Sequence, residues 1–135
     1  SYGEHRAAFE RWVSAQRFAK VRIVRLPALF GAGLKKNVLY DLLHGKKTDE
    51  INPACWYQWY PIDHLWNDIR KHDLARINLF PRPIRTSTIL HAFFPHVKNI
   101  DREPAMKYNL LANVSVPSTI EVMGEMAQFI AEERC

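Results

Sequence analysis

Two short, mainly apolar segments constrain the fold more than any other feature of the sequence. Residues 21–26, Val-Arg-Ile-Val-Arg-Leu, are rich in β-branched side chains and end at Pro27. Residues 75–80 form a second such segment, closed by Pro81. We interpret both as interior strands of a parallel sheet, which buries both of its faces and requires neighbouring strands and covering helices.

Helical patterns surround these strands. The spacing of apolar residues predicts helices over 2–19, 37–44, 64–72 and 86–94. We expect Asp63 to cap the third of these, and Thr86 or Ser87 to cap the fourth. A last helix starts from a capping box at Ser118–Glu121, with Ile120, Met123, Ala127 and Ile130 on one face. Residues 108–112 predict a further strand. This alternation is typical of the α/β class. Two clear strands are too few for a parallel sheet, so we expect this chain to contain only the end of one.

Charge and cysteine content narrow the functional classes. The net charge is +5 with histidine neutral, but the basic residues are scattered. Scattered basic residues are typical of a solvated surface, and some of them could instead contact a phosphate-bearing ligand. A nucleic-acid-binding module is the third interpretation and ranks last. No apolar run is long enough to cross a membrane. Cys55 and Cys135 form neither a disulfide framework nor a metal-binding spacing, and we expect a reducing cytoplasm.

The first residues of the chain contain a candidate acid/base pair. Tyr2 and Arg6 are four positions apart on the predicted helix, so their side chains lie on one face. A nearby cation favours the phenolate and lowers the pKa of a tyrosine, which makes such a pair suitable for proton transfer. Packing and solvation are the alternative explanation for the same spacing.

The order of motifs resembles the extended short-chain dehydrogenase/reductase family, specifically its NAD-dependent epimerase/dehydratase branch. Members have Tyr-x-x-x-Lys on a helix, then a strand that ends in an Arg-Pro-x-x-(Val/Leu)-(Tyr/Phe)-Gly-like segment. The corresponding positions in this chain are Tyr2 and Arg6, followed by Arg25, Leu29, Phe30 and Gly31. Residues 59–63 resemble the aromatic stretch before the family's capping aspartate, and residues 77–80 resemble a late strand of its sheet.

The resemblance implies the carboxy-terminal half of an enzyme that uses NAD or NADP. The fold would be the last part of a Rossmann-like doubly wound sheet, within residues 1–33, and a small substrate-binding lobe over 34–135 that includes the late strand 75–80. The glycine-rich turn and the substrate-polarising serine or threonine would belong to the missing amino-terminal half. By itself the chain would then be inactive, and we expect it to form a homo-oligomer.

The resemblance also assigns roles to single residues. Tyr2 would be the catalytic acid/base, and Arg6 would take the place of the lysine that holds the nicotinamide ribose. The backbone of Pro27, Ala28 and Leu29 would line the nicotinamide. Asn37, Trp59 and Tyr60 would contact a small hydroxylated or carbonyl substrate, although core packing equally explains the aromatic residues.

Three departures from the family's pattern weaken parts of this assignment. Arg6 keeps the charge of the family's lysine but cannot relay a proton. Tyr57 replaces an arginine, and His64 replaces an aspartate that many nucleotide-sugar enzymes have. These differences argue against a nucleotide-sugar substrate and leave a non-catalytic, NAD(P)-binding regulator as an alternative. We expect no metal site.

Overall fold

A computed structural model describes residues 2–15 and 21–135 of the chain. The helices are α1 (Tyr2–Ala15), α2 (Val38–His44), α3 (Leu65–Lys71), α4 (Thr86–Phe93) and α5 (Thr119–Glu133). The strands are β1 (Ile23–Arg25), β2 (Ala28–Phe30), β3 (Trp56–Pro61), β4 (Arg76–Asn78) and β5 (Pro83–Arg85). Short 3-10 turns cover Thr48–Glu50 and Ile62–His64. The general α/β class predicted from the sequence is confirmed.

The two strands predicted from the sequence pair with each other. β1 and β4 form a parallel two-stranded sheet in which Val24 lies opposite Ile77. A second sheet has the order β2–β3–β5, with β2 parallel and β5 antiparallel to β3. The sequence did not indicate β2 or β5, because each has only three residues and is defined by its pairing with β3. The two sheets are therefore small, and the larger one is mixed.

Two apolar clusters hold these layers together. The larger cluster packs the three-stranded sheet against α2, α4 and α5, with Trp59, Phe94 and Met126 among its fully covered side chains. The smaller cluster surrounds Tyr60, Ile77 and Leu79, between the two sheets. β3 contributes to both clusters because alternate side chains of a strand point to opposite faces. This strand is consequently the centre of the described fold.

The ends of α2 and α5 follow their sequence signals. Asn37 caps α2, and Gly45 ends it in the left-handed conformation with φ 61°. Ser118 and Glu121 form the predicted capping box at the start of α5. The predicted extent of α1 is confirmed to Ala15, and the rest of that predicted helix lies outside the described residues.

The caps predicted for α3 and α4 are wrong. Asp63 lies inside the 3-10 turn that precedes α3 and makes no capping hydrogen bond. The N-cap position of α4 is Arg85, without a side-chain cap, and Thr86 is already helical. In both places the preceding strand continues directly into helical backbone, so the turn geometry that a capping side chain needs does not arise.

The prediction for the buried face of α5 is also wrong in part. Ile120 is 86% exposed, and the buried residues are Val122, Met126 and Ile130. Packing of α5 against β3 selects this stripe. The strand predicted over 108–112 does not form. Instead, Lys107 makes an isolated parallel bridge with Trp56. Among the described residues, no helix is both long and apolar enough to span a bilayer.

Candidate functional site

The carboxyl end of β1 is the first candidate site, since open parallel sheets bind ligands beyond the carboxyl ends of their strands. Pro27 and Ala28 follow β1 at this end. Ala28 and Leu29 then enter β2, where they lie opposite Trp59 and Tyr60. The structure thus places the backbone of all three predicted cofactor residues together, directly after the parallel strand.

Asn37 fixes the backbone that follows this strand end. Its Oδ1 accepts a hydrogen bond of 2.7 Å from the Tyr40 backbone N–H, which caps α2. Its Nδ2 donates one of 2.8 Å to the carbonyl oxygen of Leu29. A residue predicted to contact substrate and a residue predicted to line the cofactor are therefore joined directly. With both groups of its amide engaged, Asn37 acts here as a positioning residue for β2 and α2.

The proposed acid/base residues lie on a helix, α1, whose described side chains all remain at least partly exposed. Tyr2 itself is 79% exposed. The Glu10 carboxylate binds the Arg25 guanidinium through two contacts, of 2.9 Å and 2.5 Å. Tyr2, Arg6 and Glu10 are spaced by four residues and share a face. Glu10 contacts Arg25, the last residue of β1, and Tyr2 lies about 12 Å further along the helix axis than Glu10.

We expect the attachment of α1 to depend on pH. The hydrogen bonds from Arg25 hold the pKa of Glu10 below its ordinary value of 4.5. A lowered folded-state pKa means that the ion pair stabilises the docked helix above that ordinary value, and that this contribution is lost as the pH falls through the lower, folded value. Protection factors of the α1 amides, measured by hydrogen exchange between pH ~6 and ~3, should drop across this range.

Two variants control this experiment. Glu10→Gln should abolish the pH-dependent step because position 10 no longer titrates, whereas Glu133→Gln, at the end of α5, should retain it. An unchanged step in Glu10→Gln would show that another group governs the attachment of α1.

Trp59 and Tyr60, predicted to contact substrate, are covered by protein. Trp59 is 2% exposed, and its indole packs edge-on against Phe30 at 6.4 Å between ring centroids. Tyr60 is fully buried and its hydroxyl donates a short hydrogen bond to the Asp68 carboxylate. Burial, followed by this carboxylate, raises the pKa of Tyr60, so the phenol stays protonated. Both side chains act in packing as the structure stands, and substrate contact remains an untested prediction.

A smaller cavity, of about 280 Å³, lies on the α2 side of β3. Cys55 and Tyr57 line it, with Asp41, Lys47 and Glu50 at its border. Burial raises the pKa of Tyr57 to about 12, and the neighbouring Cys55 adds to this effect. Tyr57 also stacks on Tyr108 at 5.8 Å between ring centroids. A neutral phenol in this position can donate a hydrogen bond but cannot act as a base near neutral pH.

A groove of about 1070 Å³, larger than the cavity beside Tyr57, was not identified by sequence reasoning. It begins at Phe80 and Pro81, just after β4, and runs between segment 107–112 and the start of α5. Its apolar surface includes Trp56 and Tyr108, which are 37% and 41% exposed. In the sequence, Pro81 and Pro83 mark only the wall of the groove that follows the late strand. The opposite wall, residues 107–112, lies further along the chain, and no local pattern connects it with the first.

Comparisons with known proteins leave function to these geometric arguments. No protein-family model matches the chain, and neither the curated proteins nor the solved structures include a match. Within residues 2–15 and 21–135, no group of three or more histidine, cysteine, aspartate or glutamate side chains is placed to hold a metal ion.

Proposed function

We propose that this chain is the carboxy-terminal part of an NAD(P)-dependent epimerase, dehydratase or reductase of the extended short-chain dehydrogenase/reductase type. Its two-stranded parallel sheet would be the last part of a Rossmann-like sheet. Residues 34–135, apart from the sheet strand β4, would then be mostly the substrate-binding lobe. The substrate would be a small hydroxylated or carbonyl compound.

The observation that carries this proposal is the parallel pairing of β1 with β4, together with the backbone that leaves β1. The two strands are about 50 residues apart in sequence, and β2, α2, β3 and α3 lie between them. A parallel connection of this kind is typical of nucleotide-binding α/β folds. Pro27, Ala28 and Leu29 follow the carboxyl end of β1, the end at which open parallel sheets bind ligands, and Asn37 bonds the Leu29 carbonyl.

In this proposal Tyr2 and Arg6 contribute to the site from α1. The Glu10–Arg25 ion pair links α1 to the last residue of β1, and the same helix face would bring Tyr2 and Arg6 to the nicotinamide. In this proposal Tyr2 exchanges a proton with the substrate hydroxyl or carbonyl oxygen, and Arg6 binds the nicotinamide ribose. Among the described residues no strand pairs with the outer edge of β1, which leaves room for a further strand there, whereas the Asn113 side chain covers the outer edge of β4 by bonding Arg76 O and Asn78 N–H. The homo-oligomer remains a prediction.

The non-catalytic regulator is the second candidate, and one observation favours it. Arg6 stands where the family has a lysine, and a guanidinium does not release its proton in the physiological range. A protein that binds NAD(P) without turnover would need the same sheet but no proton relay. Turnover of reduced nicotinamide, followed by its absorbance, separates the two candidates.

Cofactor titration tests how the two halves share the binding site. The sequence contains no Gly-x-x-Gly-x-x-Gly turn to place a helix amino terminus against the pyrophosphate. We therefore expect calorimetric titration of this 135-residue chain with NAD or NADP to give no measurable heat, whereas a protein in which a glycine-rich βαβ unit precedes it should bind. A micromolar dissociation constant for the chain alone would contradict the division of the site that we propose.

A further inference from the structure

Segment 107–111 presents an open edge of backbone groups beside β3. On its inner side, the Trp56 N–H donates to the Met106 carbonyl oxygen at 2.8 Å, and the Tyr108 N–H donates to that of Trp56 at 3.1 Å. Leu110 also bonds on this side, through the Gln58 side chain.

Since the alternate residues Met106, Tyr108 and Leu110 face β3, the backbone groups of Lys107 and Asn109 between them face away from it. In the described part of the chain, these outward N–H and carbonyl groups have no hydrogen-bond partner.

Gln58 holds this edge rigidly in place. Its side chain is buried, with 3% exposed, and its Oε1 accepts from the Leu110 N–H at 2.9 Å. Its Nε2 donates to the carbonyl oxygens of Leu110 at 2.7 Å and Pro81 at 2.9 Å. One amide thus fastens segment 107–111 to the residues that follow β4. A ligand that pairs with this edge meets a backbone that is already ordered, which reduces the entropic cost of binding.

The adjoining groove combines positive charge with exposed apolar surface. Among the described residues that line it, Arg82 and Lys107 are the only charged ones, so no carboxylate faces them there. Neither cation forms an ion pair with another described residue. Leu111 and Ile120, at its rim, are 82% and 86% exposed. Apolar side chains that remain exposed next to an open edge and two cations indicate an interaction surface rather than an ordinary solvated face.

We propose that this groove binds an extended segment of a partner protein in which acidic and apolar residues alternate. The segment adds a strand to residues 107–111 through main-chain hydrogen bonds with Lys107 and Asn109. Its carboxylates bind Arg82 and Lys107, and its apolar side chains cover Leu111 and Ile120. Main-chain pairing supplies affinity and alternate side chains supply specificity in this mode of recognition. The inference does not depend on the proposed enzymatic function.

A synthetic peptide tests the proposal directly. The probe is a fluorescent, amino-terminally acetylated peptide of about six residues in which glutamate alternates with leucine. Its anisotropy should rise to saturation as the protein is added, with an affinity that decreases at high salt. A matched peptide with lysine in place of glutamate should not bind. Absence of saturable binding, or equal binding of both peptides, would overturn the proposal.

Charge reversal locates the site. The double variant Arg82→Glu/Lys107→Glu should weaken binding of the acidic peptide at least about tenfold, because like charges face each other across the groove. The control variant Lys71→Glu/Lys98→Glu changes the net charge equally at positions that do not line the groove, and it should bind nearly as the wild type does. If both double variants lost the same affinity for the acidic peptide, the loss would come from the change in net charge alone, and the assignment of the site to this groove would be overturned. A DNA oligonucleotide that binds more tightly and loses affinity in the same double variant would assign the cations to nucleic acid and refute the peptide proposal.

Removing one outward donor tests the added strand. Asn109→Pro deletes an N–H that makes no hydrogen bond within the described part of the chain, so the fold should survive while binding weakens about tenfold. Asn109→Ala keeps the N–H and should retain affinity. A peptide with N-methylated alternate amides tests the same bonds without altering the protein and should lose binding equally. Wild-type affinity in Asn109→Pro and for the methylated peptide would show that no strand is added.

Discussion

Tyr2→Phe should remove most of the turnover of the proposed enzyme while leaving its affinity for NAD(P) nearly unchanged. The substitution deletes only the phenolic oxygen, which in our proposal exchanges the proton at the carbon that transfers hydride. Loss of a general acid/base group typically reduces the rate by ~10²–10⁴. The measurement is kcat under saturating cofactor, in a protein that carries the nucleotide-binding half ahead of this chain.

The exposed position of Tyr2 makes the result interpretable. Because its side chain is 79% exposed, the substitution should not change the thermal unfolding temperature. Tyr108→Phe is the matched control, since Tyr108 is also exposed, at 41%, and has no role in the proposed chemistry. Wild-type turnover in Tyr2→Phe would eliminate the acid/base role and leave the NAD(P)-binding regulator as the better proposal.

Substitutions at position 6 separate binding from proton relay. Arg6→Ala should weaken cofactor binding because the cation that would hold the nicotinamide ribose is removed. Arg6→Lys keeps the charge and adds a group that can release a proton, so it should bind cofactor and support at least the wild-type rate. Both expected results follow from the resemblance and not from a contact in the described structure.

Local signals in the sequence predicted those elements whose determinants lie within a few residues. Asn37 and Gly45 delimit α2, and Ser118 with Glu121 starts α5, because a cap is satisfied by its own turn. The strands 21–26 and 75–80 were identified by composition, but their register required the fold. Sequence alone gave no indication of β2 and β5, which exist as strands only because β3 lies between them.

The candidate site was less predictable than the fold because it depends on distant contacts. Nothing local to Gln58 indicates that its amide will bind Leu110 and Pro81 and so define a groove. Likewise, the aromatic side chains of residues 56–60 could line a pocket or pack in a core, and only their burial in the folded protein distinguishes the two. For Trp59 and Tyr60 the deciding factor is the central position of β3 between two apolar clusters.

Gly31→Ala should destabilise the protein by about 2–5 kcal/mol, through backbone strain and overpacking together. Gly31 ends the segment that resembles the family's motif, and its φ of 147° is one that side-chain-bearing residues rarely adopt. A Cβ at this position would also overlap Cγ2 of Ile62, in the turn that follows β3. The close approach of the two turns after β2 and β3 therefore requires glycine. Chemical denaturation gives the change in unfolding free energy.

Two further variants separate the two causes. Gly33 has a φ of 85°, and a methyl group added there would meet no described atom within 4 Å, so Gly33→Ala carries the backbone strain without the overlap and should cost less. Ile62→Ala removes the overlapping methyl group, so adding Gly31→Ala to this background should cost less than it does in the wild type, by about 1–3 kcal/mol. If Gly31→Ala cost no more than Gly33→Ala, and Ile62→Ala gave no relief, the packing of Ile62 against Gly31 would not constrain this turn.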